Sequence, residues 1–205
     1  PFWIKDKLAM RYYRRLSEAD LKKRRRSDTV FIFGSGYSLH DISISEWRQI
    51  EKYDTMSFNW FIRQNFVRVD FHLIREIYYD DFDRVGWKSA LTEYGRLIEQ
   101  NILFQDTVFI VQGEYRALNG NRMIALKLLP RGAAVYRFFN KSRSVYETPT
   151  KSLSKGLVHG AGTLISMVNL AYCLGWKNIV LVGVDLYDRR YFWLGKDETR
   201  INDKI

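Results

Sequence analysis

Cysteine is almost absent from this chain of 205 residues. The lone Cys173 cannot close an intramolecular bridge, which excludes a disulfide scaffold and points to a reducing, cytoplasmic setting. Its own expected place is that of a small buried hydrophobe rather than a nucleophile. Histidine is scarce too, and His40, His72 and His159 lack metal-ligand spacing, so no metal site is expected. No apolar run reaches the ~20 residues that a membrane span needs. The start has no uninterrupted apolar signal stretch, and no internal repeat is present.

Acidic residues are outnumbered, and the net charge is +10. That balance invites nucleic acid as a partner, but its distribution argues against it. Residues 1–28 hold ten Lys/Arg against four Asp/Glu, a net of +6, which leaves +4 for the remainder. The basicity is local, and no recognised nucleic-acid module accompanies it. Aromatics make up 16% of the chain, and their default place is the core.

Residues 2–21 read as an amphipathic helix, with Ile4, Leu8, Tyr12 and Leu16 recurring at i+4. The solvated block Lys22-Lys23-Arg24-Arg25-Arg26 follows. Helix and block together suit an anionic membrane surface, which would make the protein peripheral to the inner face of a membrane. A helix packed on the domain with its charges in water is the other reading.

From Thr29 onward, strands and helices alternate. Thr29–Gly34 is a continuous apolar run ending in glycine, as in a buried parallel strand. Residues 45–53 read as a short helix capped by Ser45. Residues 55–61 and 69–74 are strand candidates, residues 81–101 carry a helical period, and residues 106–112 form a strand. Residues 119–129 read as a helix stopped at Pro130, and residues 133–139 as an edge strand. Residues 141–160 are polar and are expected to form a mobile loop over a site. A helix over 162–174, Gly175 at its C′ position and the strand Asn178–Gly183 close the pattern. The expected fold is α/β: a Rossmann-like, doubly wound, mostly parallel sheet with helices on both faces, over residues 29–205. A basic N-terminal helix over residues 1–28 precedes it. Because the chain opens with Pro1 and stops soon after a strong strand, truncation is expected, at the C-terminus above all.

In such folds ligands bind beyond the carboxyl ends of the strands. Gly34-Ser35-Gly36-Tyr37-Ser38 follows the first strand, where glycines let the backbone approach a ligand and successive N–H groups can cradle phosphate. It is neither the full dinucleotide fingerprint, since position 39 is Leu, nor a Walker A loop. Asn59 ends the second strand, and its amide suits a nucleobase edge or ribose, or else its own turn. Gly162 and Thr163 open the last helix, where Thr163 is a good N-cap and an anion is favoured. Asp185, Tyr187 and Tyr191 follow the last strand. Asp185 would bind a hydroxyl or metal, or cap the loop, and the tyrosines would bond a leaving phosphate or pack. His72-Leu73-Ile74-Arg75-Glu76 ends the third strand, which turns Arg75 and Glu76 toward the same crevice.

The order FIFGSGYSL, MSFNWF, GTLISMVNLAYCLGWKNIVLVGVDLY resembles the bacterial lipooligosaccharide sialyltransferases that use CMP-sialic acid. It is similar also to the related domain of flagellin-modifying proteins and 6-hydroxymethylpterin diphosphokinase. The family's first loop reads Gly-Asn-Gly-Pro-Ser-Leu; here Ser35 stands for the Asn and Tyr37 for the Pro, while Gly34, Gly36, Ser38 and Leu39 agree. The resemblance carries the nucleotide-binding Asn onto Asn59 and the Ser of the last helix onto Thr163. Its two phosphate-binding tyrosines fall on Tyr187 and Tyr191, the second at a spacing two residues shorter. It implies a metal-independent, inverting glycosyltransferase with no cofactor beyond its nucleotide-sugar donor and a glycan or glycolipid acceptor. The family's general-base His falls past residue 205, and none of the three histidines matches it. The alternatives are a Mg²⁺-dependent diphosphokinase-like transferase, with Asp185 on the metal, and a non-catalytic nucleotide- or partner-binding module.

Overall fold

Runs such as Val108-Phe109-Ile110-Val111 carry no charge and place large side chains on both sides of the backbone, so they are stable only inside a sheet covered on both faces. A computed structural model of the chain, which describes residues 8–75, 77, 82–113, 118–142, 144, 146–160, 162–188 and 190–195, builds such a sheet. Its strands are β1 (Arg14–Arg15), β2 (Thr29–Phe33), β3 (Asp54–Phe58), β4 (Phe71–Ile74), β5 (Val108–Gln112), β6 (Ala134–Phe138) and, after a small pair β7 (Asn140–Ser142) and β8 (Leu157–Val158), β9 (Asn178–Val182). The seven-stranded sheet runs β1-β6-β5-β4-β3-β2-β9, and every pairing is parallel. From β2 the chain steps outward through β3, β4, β5 and β6, then returns to lay β9 on the other flank of β2. The direction of winding therefore reverses between β2 and β9, which makes that boundary the switch point of the sheet.

The helices are α1 (Glu18–Lys23), α2 (Ile44–Ile50), α3 (Phe82–Gln100), α4 (Leu118–Ala125) and α5 (Thr163–Leu174). Alternate strand residues serve opposite cores. Phe33, Phe109, Val111 and Val135 pack with Trp47 of α2, Leu91 and Tyr94 of α3, and Met123 of α4. Val30, Ile32, Met56 and Ile110 pack with Leu21 of α1 and Met167, Leu170 and Leu174 of α5. The α/β class, the parallel sheet and the helices on both faces agree with the sequence reading.

The single N-terminal helix does not. Residues 1–7 lie outside the described residues, residues 8–9 are helical, Met10–Tyr12 form a 3-10 turn, and Arg14–Arg15 become the edge strand beside β6. Arg14 donates its N–H to the Ala133 carbonyl and Leu16 to that of Val135, each at 2.9 Å. Helix starts afresh only at α1, where Ser17 and Asp20 form a capping box. The unpaired backbone of β6 is the physical reason: an open sheet edge offers a ladder that an isolated helix cannot match. Accordingly β6 is not the edge strand that the sequence suggested.

The basic block is also less solvated than its composition implied. Arg25 donates to the Leu174 carbonyl at 3.1 Å, at the negative end of α5, and lies over the Trp176 ring. Arg26 pairs with Asp70 at 2.6 Å and with buried Asp54 at 3.5 Å. Asp54 itself accepts N–H groups from Arg26 and Ser27 and the Trp176 indole N–H at 2.8 Å, joining the starts of β2, β3 and β9.

Other boundaries shift for local reasons. α2 is capped by Ser43, not Ser45, because Ser43 has Glu46 three residues on to complete a capping box. α4 ends at Ala125, before the expected Leu129, because Lys127 turns left-handed at φ 56°. Gly175 ends α5 in the left-handed conformation, as expected. Residues 146–160 are no free loop. Buried Asn169 of α5 accepts the Val158 N–H at 2.9 Å and the Thr150 N–H at 3.3 Å, and donates to the Thr150 carbonyl at 2.9 Å.

Asn169→Leu strands these three backbone groups without partners. At ~1–3 kcal/mol for each buried unsatisfied group, the variant is expected to lose about 3 kcal/mol or more. Thermal denaturation should show a fall in Tm of roughly 6–12 °C. An unchanged Tm would show that the segment is not held by Asn169.

Candidate functional site

The switch point is also where two loops are forced into contact. Parallel pairing carries on past the strands: Gly34 donates its N–H to the Val182 carbonyl at 2.7 Å, and Gly36 donates to that of Gly183 at 2.8 Å. A Cβ on Gly34 would overlap the Gly183 carbonyl, and one on Gly36 would overlap the Asp185 carboxylate. Close approach of backbone therefore explains both glycines. Ser38 donates both its N–H, at 2.9 Å, and its hydroxyl to Asp185. The N–H groups of Gly34, Gly36 and Ser38, expected to be open to phosphate, are instead taken up by the last residue of β9 and the loop after it. Asp185 has the loop-capping role.

A second layer fastens residues 190–193 over the first loop. Phe192 donates its N–H to the Ser35 carbonyl at 3.0 Å, Gly36 and Tyr191 form an antiparallel bridge, and His40 Nε2 donates to the Phe192 carbonyl at 2.7 Å. The Phe192 ring is buried edge-on against Phe61 and Phe66, and Phe61 stacks on Phe33 at 5.0 Å. Part of the aromatic surplus thus builds the floor on which this loop rests.

Above the floor opens a cleft of about 480 Å³, lined among others by Ser35, Gly36, Phe58, Asp185, Arg190 and Tyr191. Arg190 lies 4.0 Å over the Tyr37 ring and pairs with Asp188 at 2.6 Å. Hydrogen bonds from the Arg190 side chain and N–H hold the Asp188 carboxyl below its ordinary range. The cleft therefore presents a cation placed over an aromatic ring, two carboxylates, a serine and a tyrosine. That set can engage a phosphate together with the hydroxyls of a sugar. Among the described residues no group of three or more His, Cys, Asp or Glu could hold a metal ion.

Of the residues expected at the site, Gly34, Ser35, Gly36, Asp185 and Tyr191 line this cleft, and Ser38 is bonded to Asp185. Leu164, from the first turn of α5, reaches it too. The cap of α5 is Gly162 rather than Thr163, which is buried as the first helical residue. Tyr187 is separated from Tyr191: it is 87% exposed and does not line the cleft. Asn59 also stands outside. It is left-handed at φ 46°, its side-chain oxygen accepts the Arg75 N–H at 3.2 Å, and it ties the end of β3 to that of β4. Arg75 is buried, and Glu76 lies outside the described residues. Arg190, Asp188 and Phe192 were missed. The Arg189-Arg190 pair between an acid and an aromatic run was the available signal.

A buried chain of hydrogen bonds ends at Asn59. The Tyr94 hydroxyl donates to the Asn59 carbonyl at 2.8 Å, so His72 Nε2, 2.6 Å from the same oxygen, must donate to it. His72 Nδ1 then accepts from the Ser57 hydroxyl at 2.7 Å. This order uses a neutral imidazole, and burial pushes the His72 pKa down to about 3.

Two predictions follow from these contacts. In the unfolded chain His72 takes up a proton near pH 6.5, whereas the folded protein refuses it, so stability is full above that pH and falls below it. Denaturant melts should lose about 1–1.5 kcal/mol between pH 7 and pH 5.5, above the range where carboxylates contribute. His72→Gln should flatten that slope, and an equal slope in the variant would refute the assignment. Phe192→Ala should cost ~3 kcal/mol and open residues 184–195 to proteolysis; an uncleaved variant would show that the loop is held by its backbone bonds alone.

No protein-family model matches this chain and no curated protein matches it significantly, so the chemistry of the cleft carries the functional reading.

Proposed function

We propose that the chain forms the donor-binding part of a glycosyltransferase that takes a nucleotide-activated sugar, CMP-linked on the resemblance of its motifs, and passes the sugar to a glycan acceptor. The observation that carries this reading is the convergence of Ser35, Asp185, Asp188, Arg190 and Tyr191 on one cleft at the switch point of a parallel sheet. Ligands of doubly wound folds bind at that place. Arg190, aligned on the Tyr37 ring, would engage the donor phosphate, and the Tyr191 hydroxyl would donate to it as the bond to the sugar breaks and charge grows. Ser35 and the carboxylates would take sugar or ribose hydroxyls. Asn59 would read the nucleotide from the neighbouring strand end, held in place by Tyr94 and its bond to Arg75. Tyr187 is given no role. Among the described residues no histidine lines the cleft, and no general base is assigned.

A second reading is favoured by one feature: Asp185 and Asp188 line the same cleft. With nucleotide phosphates they would hold Mg²⁺, a cation that prefers carboxylate and phosphate oxygen, for phosphoryl transfer.

Calorimetric titration with CMP, UDP, GDP and ATP, each with and without Mg²⁺, separates the two. The first reading expects metal-independent CMP binding that weakens about tenfold or more in Arg190→Ala. Tyr191→Phe should weaken it less. ATP binding that requires Mg²⁺ and is lost in Asp188→Asn would replace that reading with the second, and no binding of any of the four would remove both.

A further inference from the structure

A second cleft, of about 330 Å³, lies at the opposite end of the sheet. It is bounded by the last turns of α3, by Tyr12 and by residues 127–131, which lead into the start of β6. Its charges are Arg96, Lys127 and Arg131 against Glu99. Arg96 is already paired with Glu93 of its own helix at 2.6 Å. Lys127 and Arg131 are not: both face the Tyr12 ring, with Lys127 Nζ 3.7 Å and Arg131 Cζ 5.8 Å from its centre. Among the described residues neither forms an ion pair with a carboxylate.

The backbone at Lys127 supplies an independent observation. Leu128 donates its N–H to the Met123 carbonyl and Lys127 to that of Ile124, each at 3.0 Å, which is the paired bonding of a Schellman cap on α4. Lys127 occupies the left-handed position of that cap, at φ 56°, where glycine carries no steric cost. A lysine held there keeps a strained backbone, and its ammonium points at an aromatic ring on the cleft wall. Strain of this kind concentrates at ligand clamps. The Tyr12 hydroxyl beside it is acidified, first by its hydrogen bond with Lys127 and then by that ammonium's charge, which makes it a stronger donor.

We infer that this cleft is a binding site for a phosphate-bearing anion, a phosphomonoester or pyrophosphate group, held by Lys127 and Arg131 with Tyr12 as a third donor. A lysine and an arginine together match a dianion, and a cleft of this size admits a head group rather than an extended polymer. The site lies at the amino end of the sheet, away from the carboxyl-end cleft, so the two ligands do not compete. It does not depend on the glycosyltransferase reading. The exposed Arg14–Arg15 pair of β1, laced to the same loop through the bond from Gly132 to the Tyr12 carbonyl, gives this edge the same sign. The phosphate can belong to a soluble molecule or to a lipid head group.

The test uses the full chain carrying Arg190→Ala, which removes the phosphate-binding cation of the other cleft. Inorganic pyrophosphate is titrated by calorimetry, and phosphatidylcholine vesicles with phosphatidic acid or with phosphatidylserine are tested by co-sedimentation. Pyrophosphate binding is expected, weakened at least tenfold by Lys127→Gly and by Arg131→Gln. Lys127→Gly should at the same time raise Tm by about 2–4 °C, because glycine relieves the left-handed backbone. Preference for phosphatidic acid over phosphatidylserine, lost in the same variants, assigns the phosphate to a lipid. Pyrophosphate binding without that preference assigns it to a soluble compound. Absence of pyrophosphate binding and of the vesicle preference, or retention of either in both variants, overturns the site. A Lys127→Gly protein less stable than its parent does so too, because the lysine would then be a structural cap.

Discussion

The carboxyl ends of β2 and β9 approach so closely that no side chain fits between them, and the rest of the site follows from that contact. Gly34 and Gly183 continue the parallel ladder beyond the strands, so the loops after β2 and β9 behave as one body. Asp185 can then reach Ser38, and the chain beyond it folds back to bridge Gly36 with Tyr191. Phe192 drops into the aromatic floor and fixes the orientation of Arg190 and Tyr191. A cleft built in this way is largely preformed, because its walls are secured by backbone bonds and a buried ring rather than by exposed side chains.

Buried polar residues hold the elements that frame this contact. Asp54 gathers the beginnings of three strands, and Asn169 fastens residues 150–158 onto α5. The chain from Ser57 through His72 and Tyr94 to Asn59 runs across β3, β4 and α3. Each of these networks is satisfied almost entirely by backbone groups or by a single proton ordering. Inside a low-dielectric core such an arrangement specifies one geometry, because any alternative leaves a polar atom without a partner.

Charge is distributed by the same logic. The basic N-terminal block contributes Arg25 to the end of α5 and Arg26 to two carboxylates, so part of its charge stabilises the fold. Lys127 and Arg131, which the sequence did not single out, face a cleft at the sheet's amino end. Arg190 faces the cleft at its carboxyl end. Among the described residues no helix is long and apolar enough to cross a membrane.

Strands β2 to β6 and β9, the helices between them and the parallel winding were legible because each depends on local pattern: apolar runs, a helical period and a glycine at a helix end; the pair β7 and β8, in a polar stretch, was not. Gly34, Gly36, Asp185 and Tyr191 were legible for a related reason, since in a parallel sheet the residues after each strand must lie at one end. Partnership was not legible. Residues 14–15 fall within a helical period, yet form an edge strand because β6, distant in sequence, offers unpaired backbone. Gly34 and Gly36 looked open to phosphate, yet their N–H groups meet carbonyls almost 150 residues away. Tyr187 and Tyr191 looked equivalent, yet one is in solvent and the other beside Arg190. The sequence by itself determined which segments had to be buried and at which end of the sheet the loops after the strands would gather, because side-chain periodicity and strand direction are local properties. Only the tertiary structure decided which donors, acceptors and charges remain available there, because each is claimed by whichever partner the fold brings closest.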